Sequence, residues 1–345
     1  MTRIPHKREF LARGLRATGL LRFLERLGRQ PGLTVLTYHR IVNPSETPYY
    51  APVCSATPET FAEQLRTLRD NFRVVGLDEV VKLAATGFSL NEPTALITFD
   101  DGYRDNFDAA FPILKAMRLP ATFFLPTTFY QKPRLFWWDQ IALAFNRTQR
   151  ATIELDRPEP FAADLAKTSR EEAIAGVIAI HRRHHLDGPA QAAFLEQIRE
   201  RTGTAIETES LAKDLFMSRE QVHEMADSGM SIGSHTHSHV ELAQLPESEQ
   251  RDELERSKRI LEADLNRAIT SIAYPYGWPG AVDAATEQHA KEAGYKVAFA
   301  AVEGINRPHQ TNPFAIKRFS IGFADSTTLL RSRLALHWHL GRSPL

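Results

Sequence analysis

The chain is poor in cysteine and in long apolar runs, and each shortage excludes a class of protein. Its 345 residues include one cysteine, Cys54, which excludes an intramolecular disulfide framework and a zinc site built on cysteine ligands. We interpret Cys54 as a small buried or half-buried side chain and not as a nucleophile, because no neighbour in sequence would activate its thiolate. No run of about 18 apolar residues is available to span a bilayer. The N-terminus also lacks the features of a secretory signal, so we expect a cytoplasmic protein, or one at the inner face of the membrane.

An excess of charge of either sign is also missing. The sequence has 42 basic and 42 acidic residues, which argues against a general nucleic-acid-binding protein. Hydrophobic residues make up 43% of the chain. The chain is therefore long and apolar enough to bury a sizeable core, in one large domain or in two ordinary ones.

Residues 1–32 form a basic, amphipathic segment that we predict to be helical. One helical face would carry Leu20, Phe23, Leu24 and Leu27. Arginines are interleaved with this stripe at Arg13, Arg16, Arg22, Arg26 and Arg29. The pattern suits a helix on an anionic membrane surface or on a partner, and so allows peripheral membrane contact. Apolar stripes more often face a core, so we favour packing of this helix against its own domain.

Strand-like and helix-like segments alternate over the remaining residues, 33–345. The predicted strands are Leu33–Tyr38, Phe72–Val75, Ala95–Phe99, Thr122–Leu125, Met230–Gly233, Ser271–Tyr274, Val297–Ala300 and Ala315–Ile321. Strands that alternate with helices imply parallel pairing and an α/β fold whose sites lie at the carboxyl ends of the strands. The alternation lapses at about 136–217, where we predict a polar, helix-rich insertion.

Two adjacent carboxylates end the apolar strand Ala95–Phe99. Successive side chains of a strand point to opposite faces, so Asp100 and Asp101 can converge on one site only where the strand has ended and the backbone turns. Gly102 follows and permits such a turn. A solvated turn without chemistry would give the same short pattern, and the residues farther along the chain decide between the two.

Three alternate histidines follow another predicted strand end. His235 and His239 are spaced i, i+4, which would put both imidazoles on one side if the chain turned into a helix there, and His237 would point elsewhere. A carboxylate from another strand end would complete a metal site of two histidines and one aspartate. A second histidine group, His181, His184 and His185, lies with arginines at a predicted helix end, where cations complement the helix dipole, and we do not predict a metal there.

Three ordered motifs, T-F-D-D-G-Y, H-T-H-S-H and A-Y-P-Y-G, resemble those of the polysaccharide deacetylase family, also called the NodB-homology or carbohydrate esterase family 4 domain. The resemblance covers most of residues 33–325 apart from the insertion. It implies a distorted (β/α) barrel of the NodB-homology type. It also implies an enzyme that removes acetyl groups from N-acetylated glycans with a divalent metal, most often zinc.

The resemblance assigns roles to individual residues. Asp100 would be the general base, a role typically worth about 10²- to 10⁴-fold in rate. Pro275 and Tyr276 match the third motif, in which the tyrosine backbone N–H helps to hold the oxyanion. The implied metal ligands are Asp101, His235 and His239.

Two family features have no direct counterpart in this sequence. Ala273 stands where many members have an arginine that positions the base, and Arg318 on a late strand is the best substitute, with a structural ion pair as the alternative. No Leu-x-His motif supplies a general acid, and His39, near the end of the first strand, could serve as the acid or lie beside the metal. Trp138 and Asp139 open the insertion and are candidate substrate contacts, with burial in a core as the alternative.

The sequence therefore predicts a metal-dependent hydrolase that removes N-acetyl groups from N-acetylhexosamine units of a polysaccharide, an oligosaccharide or a lipid-linked glycan precursor. One alternative is a catalytically inactive carbohydrate-binding protein on the same fold. A weaker alternative is a non-haem iron oxygenase, because two histidines and one carboxylate also form its facial triad. The second aspartate and the Pro-Tyr-Gly motif would have no function in an oxygenase.

Overall fold

A computed structural model of the chain describes residues 4–27, 30–206, 208–277 and 280–341. Residues 1–3 and 28–29 of the predicted N-terminal segment, Arg29 among them, lie outside this range. The strands are β1 Gly32–Tyr38, β2 Arg40–Ile41, β3 Cys54–Ala56, β4 Arg73–Val74, β5 Pro93–Phe99, β6 Thr122–Leu125, β7 Thr152–Leu155, β8 Phe161–Asp164, β9 Ser231–Ser234, β10 Ser271–Ala273, β11 Val297–Ala300, β12 Ile316–Lys317 and β13 Phe319–Ser320.

Helices connect most of these strands. They are α1 Ile4–Ala17, α2 Leu20–Arg26, α3 Pro58–Asn71, α4 Leu77–Ala85, α5 Phe111–Met117, α6 Thr127–Gln131, α7 Trp137–Arg147, α8 Arg170–Arg183, α9 Gly188–Thr202, α10 Thr208–Leu215, α11 Arg219–Asp227, α12 Glu247–Leu265, α13 Ala284–Glu292 and α14 Thr327–Leu340. A π-helical turn, Asn106–Ala110, precedes α5. No helix in the described part of the chain is long and apolar enough to cross a membrane.

The main sheet is parallel and nearly closes into a barrel. Its strands lie in the order β12-β11-β10-β9-β6-β5-β1-β13, with β4 also paired to β5. The two outermost strands of this order, β12 and β13, are consecutive in sequence and are separated by Arg318 alone. The segment 316–320 thus pairs with β11 on one side and with β1 on the other. The predicted (β/α) barrel is confirmed, and Arg318 lies at its seam.

Local sequence explains why these elements form where they do. Thr57 caps α3 through its side chain, which accepts a hydrogen bond from the Thr60 N–H, and Pro58 occupies the first turn. The apolar face of α3, including Phe61, packs against the sheet, where the rings of Tyr38, Phe99 and Phe123 stack in a row. Because strand side chains alternate, Phe99 enters this core while the residues on either side of it point to the opposite face.

The chain divides into two compact units. The first comprises residues 1–42, 54–132 and 216–345, and it contains the barrel. The second comprises residues 43–53 and 133–215, with α7 to α10 and the antiparallel hairpin β7–β8. The insertion predicted at 136–217 overlaps this second unit. The short segment 43–53 was not expected in it, and it is held there by the Tyr50 N–H, which donates to Asp139 Oδ1 over 3.0 Å.

Candidate metal centre and catalytic base

Asp100 and Asp101 lie where β5 ends. The Asp100 N–H donates to the Tyr38 carbonyl over 2.9 Å and so extends the ladder between β5 and β1 by one residue. Asp101 and Gly102 then both adopt positive φ, 74° at each. The backbone therefore turns at Asp101 itself, as predicted from the alternation of strand side chains, and both carboxylates are buried in the barrel unit.

A cluster of three buried ligand atoms forms at the same end of the sheet. Asp101, His235 and His239 each offer one atom, and these atoms all lie within 4.8 Å of one another. Nε2 of His239 is 3.1 Å and Nε2 of His235 is 3.4 Å from Asp101 Oδ1. The strands that supply them, β5 and β9, both pair with β6, which explains why residues far apart in sequence meet here.

The loop 235–239 is not helical, so the predicted reason for the pairing of His235 with His239 was wrong. Thr236 and His239 adopt left-handed backbone conformations, with φ of 64° and 60°. Such a φ is unfavourable for a non-glycine residue and costs on the order of 1–3 kcal/mol, most clearly for β-branched Thr236. Tyr276 also has positive φ, at 61°. Backbone strain is therefore concentrated at this site.

The three side chains fit a divalent cation. Asp101 Oδ1 is buried and makes no hydrogen bond within the described residues, although two imidazole nitrogens lie near it. His235 Nδ1 is 2.7 Å from the Ala273 carbonyl, so Nδ1 must carry a proton and Nε2 is directed at Asp101. Two imidazole nitrogens and one carboxylate oxygen form a donor set typical of zinc and of other first-row divalent ions.

Burial and neighbouring charges shift the pKa values of the groups at this site. Burial by itself would raise the pKa of Asp101, but His235 and His239 outweigh it, and the pKa of Asp101 lies far below its ordinary value. Burial alone would lower the pKa of His235, yet Asp100 and Asp101 raise it above its ordinary value. For His239 burial prevails, and its pKa is lowered. Both carboxylates thus remain ionised, as a metal ligand and a general base must be.

Arg318 pairs with the candidate base. Its Nη1 donates to Asp100 Oδ1 over 2.8 Å, and its Nε donates to the Ala300 carbonyl over 3.4 Å. Both side chains are almost fully buried. Burial alone would raise the pKa of Asp100, but Arg318, His235 and His39 outweigh it and lower the pKa. Arg318, which we expected to replace the arginine of many family members, therefore contacts Asp100, the expected base. It does so from the seam of the barrel.

His39 and Tyr276 lie on loops near the same cluster. His39 follows β1, and its backbone is fixed by Ser55 Oγ, which accepts from its N–H, and by Asn106 Nδ2, which donates to its carbonyl. Its charge contributes to the lowered pKa of both Asp100 and Asp101. The Tyr276 ring meets the His239 ring edge to face at 5.3 Å.

The turn that presents Tyr276 requires a glycine. Gly277 has a φ of 59°, and a Cβ at this position would lie 2.5 Å from the Ala301 nitrogen. The Gly277 N–H donates to the Pro275 carbonyl over 2.6 Å. The Pro-Tyr-Gly motif therefore forms a tight turn that packs against the end of β11, and its last residue cannot carry a side chain.

Trp138 and Asp139 belong to the second unit. Trp138 is buried and stacks on Phe136, with ring centroids 4.3 Å apart. Asp139 is fully buried and accepts from the Tyr50 N–H. Both residues are thus buried among contacts of their own unit, which was the alternative to a substrate contact. Their contact with substrate stays a prediction.

Glu253 was not identified from the sequence, and it holds the loop 235–239, here called the histidine loop. Glu253 of α12 accepts from the His237 N–H at 2.9 Å, from the Ser238 N–H at 2.8 Å and from the Ser238 hydroxyl. His237 is not a ligand of the cluster, and its Nδ1 lies 2.8 Å from Thr127 Oγ1. Glu253 is thus a positioning residue for the loop between the two histidine ligands, and its sequence context does not distinguish it from the other acids of α12.

Comparison with known proteins agrees with these features. The family described as Polysaccharide deacetylase matches residues 89–177 and 184–298 of this chain. A polysaccharide deacetylase homologue, YxkH of Bacillus subtilis (strain 168), is 23% identical over 266 residues, which are 77% of this chain and 63% of YxkH. The chain thus spans less than two thirds of that relative.

Solved structures share the fold at low sequence identity. The deacetylase PplD of Streptococcus pyogenes, determined in complex with acetate, superposes with a TM-score of 0.57 at 20% identity, over 87% of this chain and 96% of PplD. IcaB from Ammonifex degensii gives a TM-score of 0.55 at 20% identity, over 88% of this chain and 97% of IcaB. With the family match over more than half of its length and the barrel of these structures, the chain belongs to the polysaccharide deacetylase family.

Proposed function

We propose that this protein is a metal-dependent deacetylase that hydrolyses the N-acetyl group of an N-acetylhexosamine unit in a glycan. The observation that carries the proposal is the arrangement of two adjacent aspartates with different partners. Asp101 shares a buried cluster with His235 and His239, whereas Asp100 is paired with Arg318. One carboxylate is therefore available as a ligand and the other as a base.

Asp101, His235 and His239 would hold the ion, for which we propose zinc. When bound, a divalent ion of this kind polarises the carbonyl of an amide and acidifies water. Asp100 then accepts the proton of the attacking water. Its lowered pKa keeps it ionised and ready to do so near neutral pH, and the Arg318 guanidinium holds its orientation.

Two further groups complete the proposed reaction. The Tyr276 backbone N–H donates to the oxyanion that develops on the former carbonyl oxygen, a contribution of about 3–4 kcal/mol in enzymes where one such donor has been removed. His39 in its protonated form donates to the amine nitrogen as the carbon–nitrogen bond breaks. The products are acetate and a glycan with a free amine.

The choice of glycan amide over other amides rests on the family. PplD is described as a deacetylase and was determined with acetate, the product expected here, and the IcaB structure shares the barrel. The proposal covers polysaccharide, oligosaccharide and lipid-linked glycans alike. The cytoplasmic compartment stays a prediction from the sequence, to be checked by cell fractionation.

The decisive experiment measures acetate release from a panel of N-acetylglucosamine oligomers by the zinc-loaded protein. We expect activity in the wild type, and a loss of about 10²- to 10⁴-fold in Asp100→Asn with the metal retained. His235→Ala should lose both the metal and the activity. Asp108→Asn is the matched control, because Asp108 is an exposed carboxylate on the segment that follows the site.

The panel separates the proposal from its alternatives. Metal-loaded protein that binds the oligomers but releases no acetate would favour a carbohydrate-binding protein on this fold. Acetate release that is unaffected in Asp100→Asn would overturn the assignment of the base. Consumption of O₂ in place of acetate release would point to an oxygenase.

A further inference from the structure

Exposed apolar side chains are concentrated at one place in the described chain. Among the side chains that the structure describes, seven large hydrophobic ones are exposed, and five of them lie on or directly after α1 and α2. These five are Phe10, Leu11, Leu20, Phe23 and Leu27. Phe10 is 76% exposed and Phe23 is 56% exposed. A local concentration of exposed apolar side chains marks an interaction site more often than scattered single ones do.

Packing of these helices within the protein does not account for the exposed residues. α1 and α2 both pack against α14, and they do so through other side chains. Ala12 is fully buried beside Leu329 and Leu336 of α14, with Leu15 and Leu24 half-buried at the edge of the cluster. The prediction that the N-terminal helix packs on its own domain therefore holds for part of its apolar surface only. Leu24 packs at the edge of the cluster, whereas Leu20, Phe23 and Leu27 of the same apolar stripe stay exposed.

The exposed charges on α1 and α2 all have one sign. The exposed charged residues of 7–27 are basic: Lys7, Arg8, Arg13, Arg16, Arg22 and Arg26. The two acids of the same range are half-buried and paired. Glu9 accepts from Arg13 and from the Ser326 hydroxyl, and Glu25 binds Arg331 through both oxygens. A chain with no net charge thus presents a local surface of positive charge and apolar side chains.

We propose that the exposed face of α1 and α2 binds the surface of an anionic lipid bilayer. Phe10, Phe23 and their leucine neighbours would enter the boundary between headgroups and acyl chains, while the arginines meet lipid phosphates. Each basic residue near such a surface contributes roughly a fivefold gain in affinity. The helices are already folded against α14, so binding requires no ordering of a disordered segment.

The charge pattern favours lipid over a protein partner. Basic residues alternate in sequence with the exposed apolar side chains on both helices, which suits a uniform layer of phosphates and requires no matched arrangement of acids. This surface is separate from the proposed deacetylase chemistry, since α1 and α2 contribute no residue to the cluster of Asp101, His235 and His239.

Co-sedimentation of the full chain with vesicles tests the proposal. We expect binding to vesicles of phosphatidylcholine mixed with phosphatidylglycerol, and much weaker binding to phosphatidylcholine alone. Phe10→Ser combined with Phe23→Ser should weaken binding at least about tenfold, because two inserted rings are lost. The matched control is Phe323→Ser, which removes an exposed phenylalanine that does not belong to α1 or α2.

A second pair of variants tests the charge. Arg22→Gln with Arg26→Gln should weaken binding to the anionic vesicles about tenfold or more, and Arg256→Gln with Arg259→Gln, two exposed arginines of α12, should not. Acetate release from soluble oligomers should be unchanged in all four variants, so a failure of the deacetylase proposal would not affect this test. Absence of vesicle binding, or equal binding by the wild type and the Phe10/Phe23 variant, would overturn the proposal and favour a protein partner for this face.

Discussion

Both units of this protein bury histidines, and they do so under opposite conditions. In the barrel unit, His235 and His239 lie beside an oxygen of Asp101 that makes no hydrogen bond to any residue that the structure describes, on a loop with two left-handed residues. In the second unit, His181 stacks on Trp137 with ring centroids 3.5 Å apart, and its Nε2 lies 2.9 Å from Gln191 Oε1. A bound cation would give the Asp101 oxygen of the barrel unit an electrostatic partner. The His181 ring of the second unit already has a hydrogen bond and a stacking partner.

Whether the polar atoms around a buried histidine are satisfied within the fold indicates function better than burial or residue type does. A histidine in a core is satisfied by a neutral partner and by ring packing, and it stabilises the fold. A histidine that faces an ionised carboxylate on a strained backbone costs folding free energy. Such strain is typical of sites that bind a ligand or a metal. The following predictions test this distinction, from the largest expected effect to the smallest.

The largest effect should be on metal content. His235→Ala should bring the bound zinc close to zero, because one of three protein ligands is lost from a closely spaced cluster. His237→Ala, only two positions away, should retain the metal, since its imidazole contacts Thr127 instead. Elemental analysis of the purified, dialysed proteins measures both. Equal metal content in the two variants would show that the cluster is not the binding site.

Replacement of Arg318 should affect catalysis more than binding. Arg318→Met removes the partner of Asp100, and we expect kcat to fall about 10²-fold with little change in KM. Arg318→Lys, which retains a cation, should recover part of the loss. Arg333→Met is the control, because Arg333 is also buried and ion-paired, but with Asp325 and Glu303. A purely structural function of Arg318 predicts equal kcat for the folded fractions of the Arg318 and Arg333 variants.

Replacement of Glu253 should lower the affinity for the metal, although Glu253 is not a metal ligand. Glu253→Ala removes the acceptor for two backbone N–H groups of the histidine loop, and outer-sphere partners of this kind typically change metal affinity about 10- to 100-fold. Glu253→Gln keeps one oxygen acceptor and should lose less. Competition with a chromophoric zinc chelator gives the affinities. Glu255→Gln, at an exposed position of the same helix, should match the wild type.

Much of the barrel could be predicted because its determinants are local. The cap at Thr57, the apolar runs of β1, β5 and β6, and the acids at the end of β5 are all visible within a few residues of sequence. Strand geometry restricted any convergence of Asp100 and Asp101 to the turn after β5, and the histidine motif farther along the chain was needed to favour a site over a solvated turn. Elements of this kind are specified by neighbouring residues, so reading them requires no knowledge of the tertiary structure.

The remaining features depend on contacts between distant residues. The loop 235–239 is held by Glu253 and by the N–H groups of Thr127 and Thr128, which donate to its carbonyls, and these contacts replace the helix that the spacing indicated. α12 carries several other acids, so nothing in its sequence distinguishes Glu253. The segment 43–53 joins the second unit through a bond from Tyr50 to Asp139, across 89 positions. Such contacts leave no periodic pattern in the sequence.

The smallest effect should be on the pH dependence of stability in the second unit. Burial, which outweighs the bond to Gln191, lowers the pKa of His181 from 6.5 to about 4. Between these values the unfolded chain binds a proton that the folded chain does not, so stability is fully present above pH 6.5 and falls as the pH drops toward 4. The loss should reach about 2 kcal/mol at pH 5.

Thermal unfolding of the full chain, followed from pH 7 to pH 5, measures this effect. His181→Phe keeps a ring against Trp137 but cannot be protonated, so its unfolding temperature should fall less steeply with decreasing pH, even if it is lower at pH 7. The control His185→Gln replaces an exposed histidine just after the same helix and should keep the wild-type slope. If His181→Phe also kept that slope, His181 would not be buried in its neutral form. The contrast between a histidine kept neutral by its fold and the pair at the barrel site would then fail.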